Sequence, residues 1–221
     1  MSTSINEFKI ISETLANKAQ IGGSLSIPEF NEFAQRAQMI PFEKDRAIFL
    51  ATQNTSDFLA SFLKNEIVVV PSSGILAYPS DFEHTSSVRS YYVRPNGLSS
   101  EISVDPVKNR DWGDINGSQL QNGTKRFPKY SEFKDAYRFL PRNIGTVMID
   151  YFSTPIKPVW AYTIVSGREV YDPILSVDFQ WDEFAMNNVL AIFLQMRGMN
   201  LREGDLAQWA TQFKQESESA L

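Results

Sequence analysis

The chain has no cysteine and a single histidine. Without thiols it can build neither a disulfide framework nor a thiolate metal site, so packing must hold its fold. With His84 alone, the zinc-protease pattern H-E-x-x-H and any two-histidine mechanism are excluded. A Ser-His-Asp triad would have to use His84, which stands in Asp81-Phe-Glu-His-Thr-Ser without a nucleophile elbow. Glycine patterns that cradle phosphates are missing as well, which excludes the common nucleotide sites. The longest aliphatic runs, residues 67–70 and 189–194, fall far short of the roughly 20 residues of a membrane span. The start, Met1-Ser-Thr-Ser-Ile-Asn-Glu, has neither the basic residues nor the apolar stretch of a signal peptide. These gaps lead to the expectation of a soluble, non-enzymatic protein with no cofactor and no metal.

What is present is an ordinary globular composition: 221 residues, 43% hydrophobic and 21% charged, suited to one larger domain or two small ones. The net charge of −5 is unevenly spread. Residues 86–142 hold ten Lys/Arg against six Asp/Glu, whereas residues 166–221 hold four against nine. Opposed charge blocks suit copies of one chain meeting head to tail, because complementary fields favour encounter and fix register.

The first 65 residues read as helices. Phe8, Ile11, Leu15 and Ala19 recur at helical steps before Gly22-Gly23; Ser26 can cap a second helix, with Pro28 in its first turn and Phe30, Phe33, Ala37 and Ile40 as its apolar stripe. Pro41 is expected to kink or split that helix. A third, short helix takes Phe58, Leu59, Phe62 and Leu63. From Glu66 the pattern changes to short β-rich runs. Strands are expected at 67–70, 75–78, 87–94, 101–107, 137–140 and 146–152, with a turn at Pro95-Asn96-Gly97 and a long polar loop with one helical turn between Asn109 and Lys125. Residues 159–163 and 169–171 flank Val165-Ser-Gly-Arg168 as a further hairpin. From Asp182 the pattern is helical again, and residues 184–196 are apolar almost all round, which for a short segment means burial against other helices. Gly198 should end that helix, and a last one carries Leu206, Trp209 and Phe213.

The expected fold is therefore α+β: a helical bundle formed by N- and C-terminal helices, with an inserted antiparallel β-domain, a small sandwich or barrel. The divisions read as 1–65 for the N-terminal helices, 66–181 for the β-rich insertion and 182–221 for the C-terminal helices.

Three clusters could carry chemistry. Trp112-Gly-Asp-Ile-Asn-Gly117 ends like a calcium loop but lacks the carboxylates at positions one and twelve, so it reads as a turn. Asp178, Asp182 and Glu183 stand where a helix begins and read as capping residues, not an acid-base pair. Lys125, Arg126, Lys129, Lys134, Arg138 and Arg142, interleaved with Phe127, Tyr130, Phe133 and Tyr137, form the best strip for phosphates and bases, diluted by Glu132 and Asp135. Trp160 and Tyr162, flanked by Pro155 and Pro158, with Trp209 and Phe213 further on, are stiff aromatic groups of the kind interfaces use. Together with the basic strip they are the candidate interface residues.

The order of features resembles the virion structural proteins of tailed phages infecting Bacteroidota, including crAss-like phages, that form neck or tail-adaptor rings below the portal. The resemblance runs through Thr124-Lys-Arg-Phe-Pro128, Ile144-Gly-Thr-Val-Met-Ile-Asp-Tyr-Phe152, Lys157-Pro-Val-Trp-Ala-Tyr-Thr163, Val170-Tyr-Asp-Pro173 and Asp178-Phe-Gln-Trp-Asp182. Asn17-Lys-Ala-Gln20, Pro28-Glu-Phe-Asn31 and Ala34-Gln-Arg-Ala37 are also similar. The resemblance implies a head-to-tail connector: a homo-oligomeric ring of about twelve copies around the DNA channel of the virion. A portal protein would be its neighbour on one side and a further adaptor or tail protein on the other. It implies no catalytic residues. The alternatives are a nucleic-acid-binding module using the 125–142 strip, or another minor virion protein.

Overall fold

The computed structural model describes residues 4–18, 25–52, 54, 56–93, 97–118 and 120–200. It divides into two compact units, one of Met1–Ser61 with Pro155–Leu221 and one of Phe62–Thr154. The fold class is as expected: N-terminal helices pack against a C-terminal one, and β-sheets are inserted between them in the chain.

In the first unit, α1 (Ile5–Lys18), α2 (Ile27–Thr52) and α5 (Glu183–Asn200) supply the helices, with the single turn α3 (Asp57–Ala60) after α2. Their shared core is aromatic. The Phe8 ring of α1 lies 5.2 Å from Phe193 of α5, 6.3 Å from Phe30 of α2 and 4.8 Å from Phe179. Such tilted and edge-on pairs add to simple area burial. The buried face of α1 is Ile5, Phe8, Ser12 and Ala16, not the expected stripe through Ile11 and Leu15. Ser12 can sit in an apolar row because its hydroxyl donates back to the Lys9 carbonyl at 2.9 Å. The α2 helix begins with the return half of a capping box: the Glu29 carboxylate accepts from both the Ser26 amide and its hydroxyl. These bonds hold Glu29 below the usual carboxylate range.

Several expectations change here. Pro41 does not split α2, which continues to Thr52 with Phe42 and Phe49 buried beyond it; packing on both sides of the proline outweighs the one i−4 bond it cannot make. Leu63 leaves the third helix and starts a strand. Gly198 lies inside α5 and does not end it. The last helix, with Leu206, Trp209 and Phe213, lies outside the described residues.

Residues 155–182 also join the helical unit, so the β insertion is shorter than the expected 66–181. This strap is fixed by polar side chains of α1 and α2. Asn31 brackets Trp160: its Oδ1 accepts from the Trp160 amide at 2.8 Å and its Nδ2 donates to the Trp160 carbonyl at 3.2 Å. Two turns further along α2, buried Gln38 donates to the Ile156 carbonyl at 2.8 Å and accepts from the Trp181 indole at 3.2 Å. The Trp160 indole donates to Asn6 at 3.0 Å. Asp178 accepts from the Ile5 amide at 2.7 Å, so it caps the first helix of the chain and not the last. Asp182 does precede α5, where its carbonyl takes the Met186 amide at 3.0 Å.

The second unit is a sandwich. One sheet has the order β1 (Leu63–Val69), β8 (Thr146–Ser153), β3 (Phe82–Val93), β4 (Ser99–Ser103), all antiparallel. The other has the order β2 (Ile75–Ala77), β7 (Ala136–Leu140), β6 (Lys129–Phe133), β5 (Asp105–Pro106), with only β5 and β6 parallel. Val88, Val147, Ile149 and Tyr151 of the first sheet share a core with Tyr130, Tyr137 and Phe139 of the second. Alternation along β8 and β7 places these residues inward. Within the 109–125 loop a 3-10 turn at Asn109–Asp111 is followed by α4 (Trp112–Gly117), the helical turn expected there, so the stretch that resembles a calcium loop is helical.

Gln38→Leu would remove the bonds to the Ile156 carbonyl and the Trp181 indole, while keeping the volume of the side chain. The expected loss of stability is about 2–4 kcal/mol, read from urea unfolding. A loss under about 0.5 kcal/mol would contradict the strap's dependence on this amide.

Candidate interaction surfaces

The strap carries a hairpin that belongs to no larger sheet. Among the described residues, strands β9 (Tyr162–Val165) and β10 (Arg168–Tyr171) pair only with each other. Ser166 and Gly167 both have positive φ, 52° and 78°, the geometry of the two-residue turn that Ser-Gly announced. At its base, Tyr162 and Tyr171 pack on the Trp160 ring, at centroid distances of 6.1 and 5.6 Å. Beyond that base the hairpin is open, with Ile164 71% exposed and Val165, Val170, Ile174 and Leu175 also exposed. Asp172 shapes the following turn by accepting from the amides of Ile174 and Leu175.

On the β unit, β1 is an edge strand of its sheet. Backbone bonds from Val70 to Gly145 and from Ser153 to Phe62 fix the phase of the ladder. The amides and carbonyls of Leu63, Asn65, Ile67 and Val69 therefore point away from β8. Ile67 and Val69 are 61% and 69% exposed. Edge strands usually carry a charge, a proline or a bulge against pairing with other chains; on β1 the charges, Lys64 and Glu66, alternate with this outward row, which itself carries none.

The basic strip is not one surface. Arg138 is held in place: its Nη2 donates to Asn109 at 2.8 Å, and its guanidinium lies 4.3 Å from the Phe133 ring and 4.9 Å from the Trp112 ring. It clamps the 109–117 segment onto the sheet. Lys129 donates to the Gln121 carbonyl at 2.9 Å. Lys134 occupies the β6–β7 turn with φ 46°, 3.9 Å from the Asp135 carboxylate. Lys125, Arg126 and Arg142 are exposed, Arg126 lying over its neighbour Phe127 at 5.3 Å. Arg142 lies against Gly74, where φ is +74° and a Cβ would approach Arg142 to 2.9 Å, so only glycine fits that turn.

Trp160 is not a surface feature, because the strap and the helices cover it to 6% exposure. Tyr162 is partly exposed at the hairpin, as an interface residue would be. Trp209 and Phe213 lie outside the described residues. His84 sits on β3 opposite Phe152. Among the described residues no cluster of His, Cys, Asp or Glu could hold a metal ion. None of their helices is long and apolar enough to cross a membrane.

A shallow cleft of about 380 Å³ lies beside β6, lined in part by Val107, Asn109, Tyr130 and Ser131. Two of its polar side chains are engaged with the fold: Asn109 Oδ1 accepts from both Ser131 and Arg138 at 2.8 Å. Between the sheets, Thr85 donates to Glu132 and bonds the Tyr137 hydroxyl at 2.9 Å. Burial, with Glu132 nearby, pushes the Tyr78 and Tyr130 phenols up to about 12 and raises Tyr137 too. These phenols stay protonated, and that of Tyr137 ties the sheets together through Thr85. On the outer face, burial raises the Asp150 carboxyl, but bonds from Ser87, Asn65 and Arg89 outweigh it and leave it below the usual range. The Arg89 contact is 2.7 Å.

The open β1 edge was missed by sequence reasoning. Its signal was present: in 63–69 the charged residues Lys64 and Glu66 share one face, leaving Leu63, Asn65, Ile67 and Val69 uncharged on the other. Neither a protein-family model nor a curated protein matches the chain.

Arg138→Ala should release the 109–117 segment. Its amides are expected to exchange with deuterium at least about tenfold faster, with an overall cost of roughly 1–2 kcal/mol. Arg138→Lys should not restore protection, because an ammonium cannot stack between two rings while bonding Asn109. Unchanged exchange in the alanine variant would contradict the clamp.

Proposed function

We propose that this chain is a virion structural protein, a head-to-tail connector or tail-adaptor ring subunit of a tailed phage, linking a portal to a tail component around the DNA channel. The observation that carries the assembly part of this reading is the free-standing β9–β10 hairpin, which holds Ile164, Val165 and Val170 in water with no sheet of its own to cover them. Exposed apolar groups on a stiff, turn-locked element suit docking, since little side-chain freedom is lost when they are covered. The phage part rests on the resemblance of the 124–182 motifs, which also place the hairpin within the segment that carries it.

The division of labour fits. The strap fastens the hairpin's base to helices through side-chain bonds, so load on the hairpin would pass into a packed bundle. Two unlike surfaces on one chain give heterologous contacts, which close into rings when the rotation allows. A nucleic-acid-binding role for the 125–142 strip has less support, because Arg138 and Lys129 are already bonded within the fold. Lys125, Arg126 and Arg142 remain exposed and could face DNA in a channel.

Sedimentation of the purified chain, alone and mixed with the portal protein of the same phage, tests the proposal. The expected result is a closed oligomer that cosediments with portal or tail components. A chain that stays monomeric at every concentration and binds neither would overturn it.

A further inference from the structure

We propose that the subunits join by strand addition: the β9 edge of one copy's hairpin pairs with the open β1 edge of a second copy. This rests on the reading of the chain as a self-assembling subunit, and it names the contact. In a hairpin closed by a two-residue turn, Val165 and Arg168 form the first hydrogen-bonded pair, so the backbone groups of Tyr162 and Ile164 point outward from β9. On β1 the outward groups are those of Leu63, Asn65, Ile67 and Val69. Strand β9, about 13 Å long, fits within the roughly 23 Å of β1, and its outward groups can make about four backbone bonds there.

The side chains at both edges agree with this pairing. Ile164 on one side and Ile67 and Val69 on the other are uncharged, β-branched and exposed, and pairing brings them together. The outward positions of β10 are Glu169 and Tyr171, so the charged edge of the hairpin is the one left in water. Charge selects the occupant further. The hairpin-bearing unit holds ten Lys/Arg and sixteen Asp/Glu, whereas the β unit holds eleven and ten. Hairpin against hairpin would bring two acidic units together, while hairpin against β1 sets an acidic unit on a slightly basic one. A two-fold pairing of β1 with β1 would cover that edge but leave Ile164 in water. The heterologous contact covers both with one interface.

Lysine at an outward edge position blocks strand addition, so Ile67→Lys and Ile164→Lys each close one end of the contact. Native mass spectrometry of the full chain should show each variant as a monomer, and an equimolar mixture as a dimer that grows no further, since each partner keeps one open edge. Far-UV circular dichroism and melting check that both variants fold; Ile67→Thr and Ile164→Thr, which keep β propensity, should weaken assembly at least about tenfold. If the unaltered chain assembles and both lysine variants assemble equally well, this contact is wrong while the ring reading stands. If Ile67→Lys alone dissolves the assembly, the contact is a two-fold β1 pair and the proposal is overturned. If the unaltered chain never assembles, alone or with portal or tail components, both readings fail.

Discussion

Two amide side chains on α2, Asn31 and Gln38, hold in place the segment on which the rest of the helical unit depends. They lie seven residues apart on one side of the helix and bond the backbone of the 155–182 strap at Trp160 and Ile156. Outside the β9–β10 hairpin and the Val159–Val177 bridge, the strap has no helix or sheet ladder to satisfy its amides and carbonyls, and leaving them unpaired in a packed interior is costly. Amides suit the task because each offers both a donor and an acceptor. With the strap fixed, Phe179 and Trp181 enter the core, Asp178 reaches the start of α1, and the hairpin between them is presented on a firm base.

The β unit depends on a different balance. Its two sheets share a core of aliphatic and aromatic side chains, and Thr85, Glu132 and Tyr137 are bonded to one another between them. The same economy removes Arg138 from the pool of free cations. A guanidinium between Trp112 and Phe133 with a bond to Asn109 acts as a brace for the 109–117 segment. Charge counted along a sequence therefore overstates the charge available to a ligand.

Local signals made much of the fold legible. Helical spacing, the Ser26 cap, the Ser-Gly turn of the last hairpin and the near-continuous apolar run of α5 each announce an element within a few residues. The strap's allegiance was not legible, because it is decided by bonds between residues more than a hundred positions apart, such as Asn31 with Trp160. The same limit explains why Trp160 read as a surface aromatic and is buried. The buried face of α1 was misplaced by one row because Ser12 hides its hydroxyl on its own backbone. At the candidate site, Tyr162 was recognised as accessible, but the β1 edge was not, since an open edge is defined by what fails to pair with it.

The proposed assembly joins copies of the chain through two unlike β edges. Electron microscopy of the purified assembly tests this most directly. Class averages with cyclic symmetry, in which the hairpin of each subunit lies along the first sheet of its neighbour, are predicted. Two-fold dimers, or rings in which the hairpins stand free of every neighbour, would contradict it.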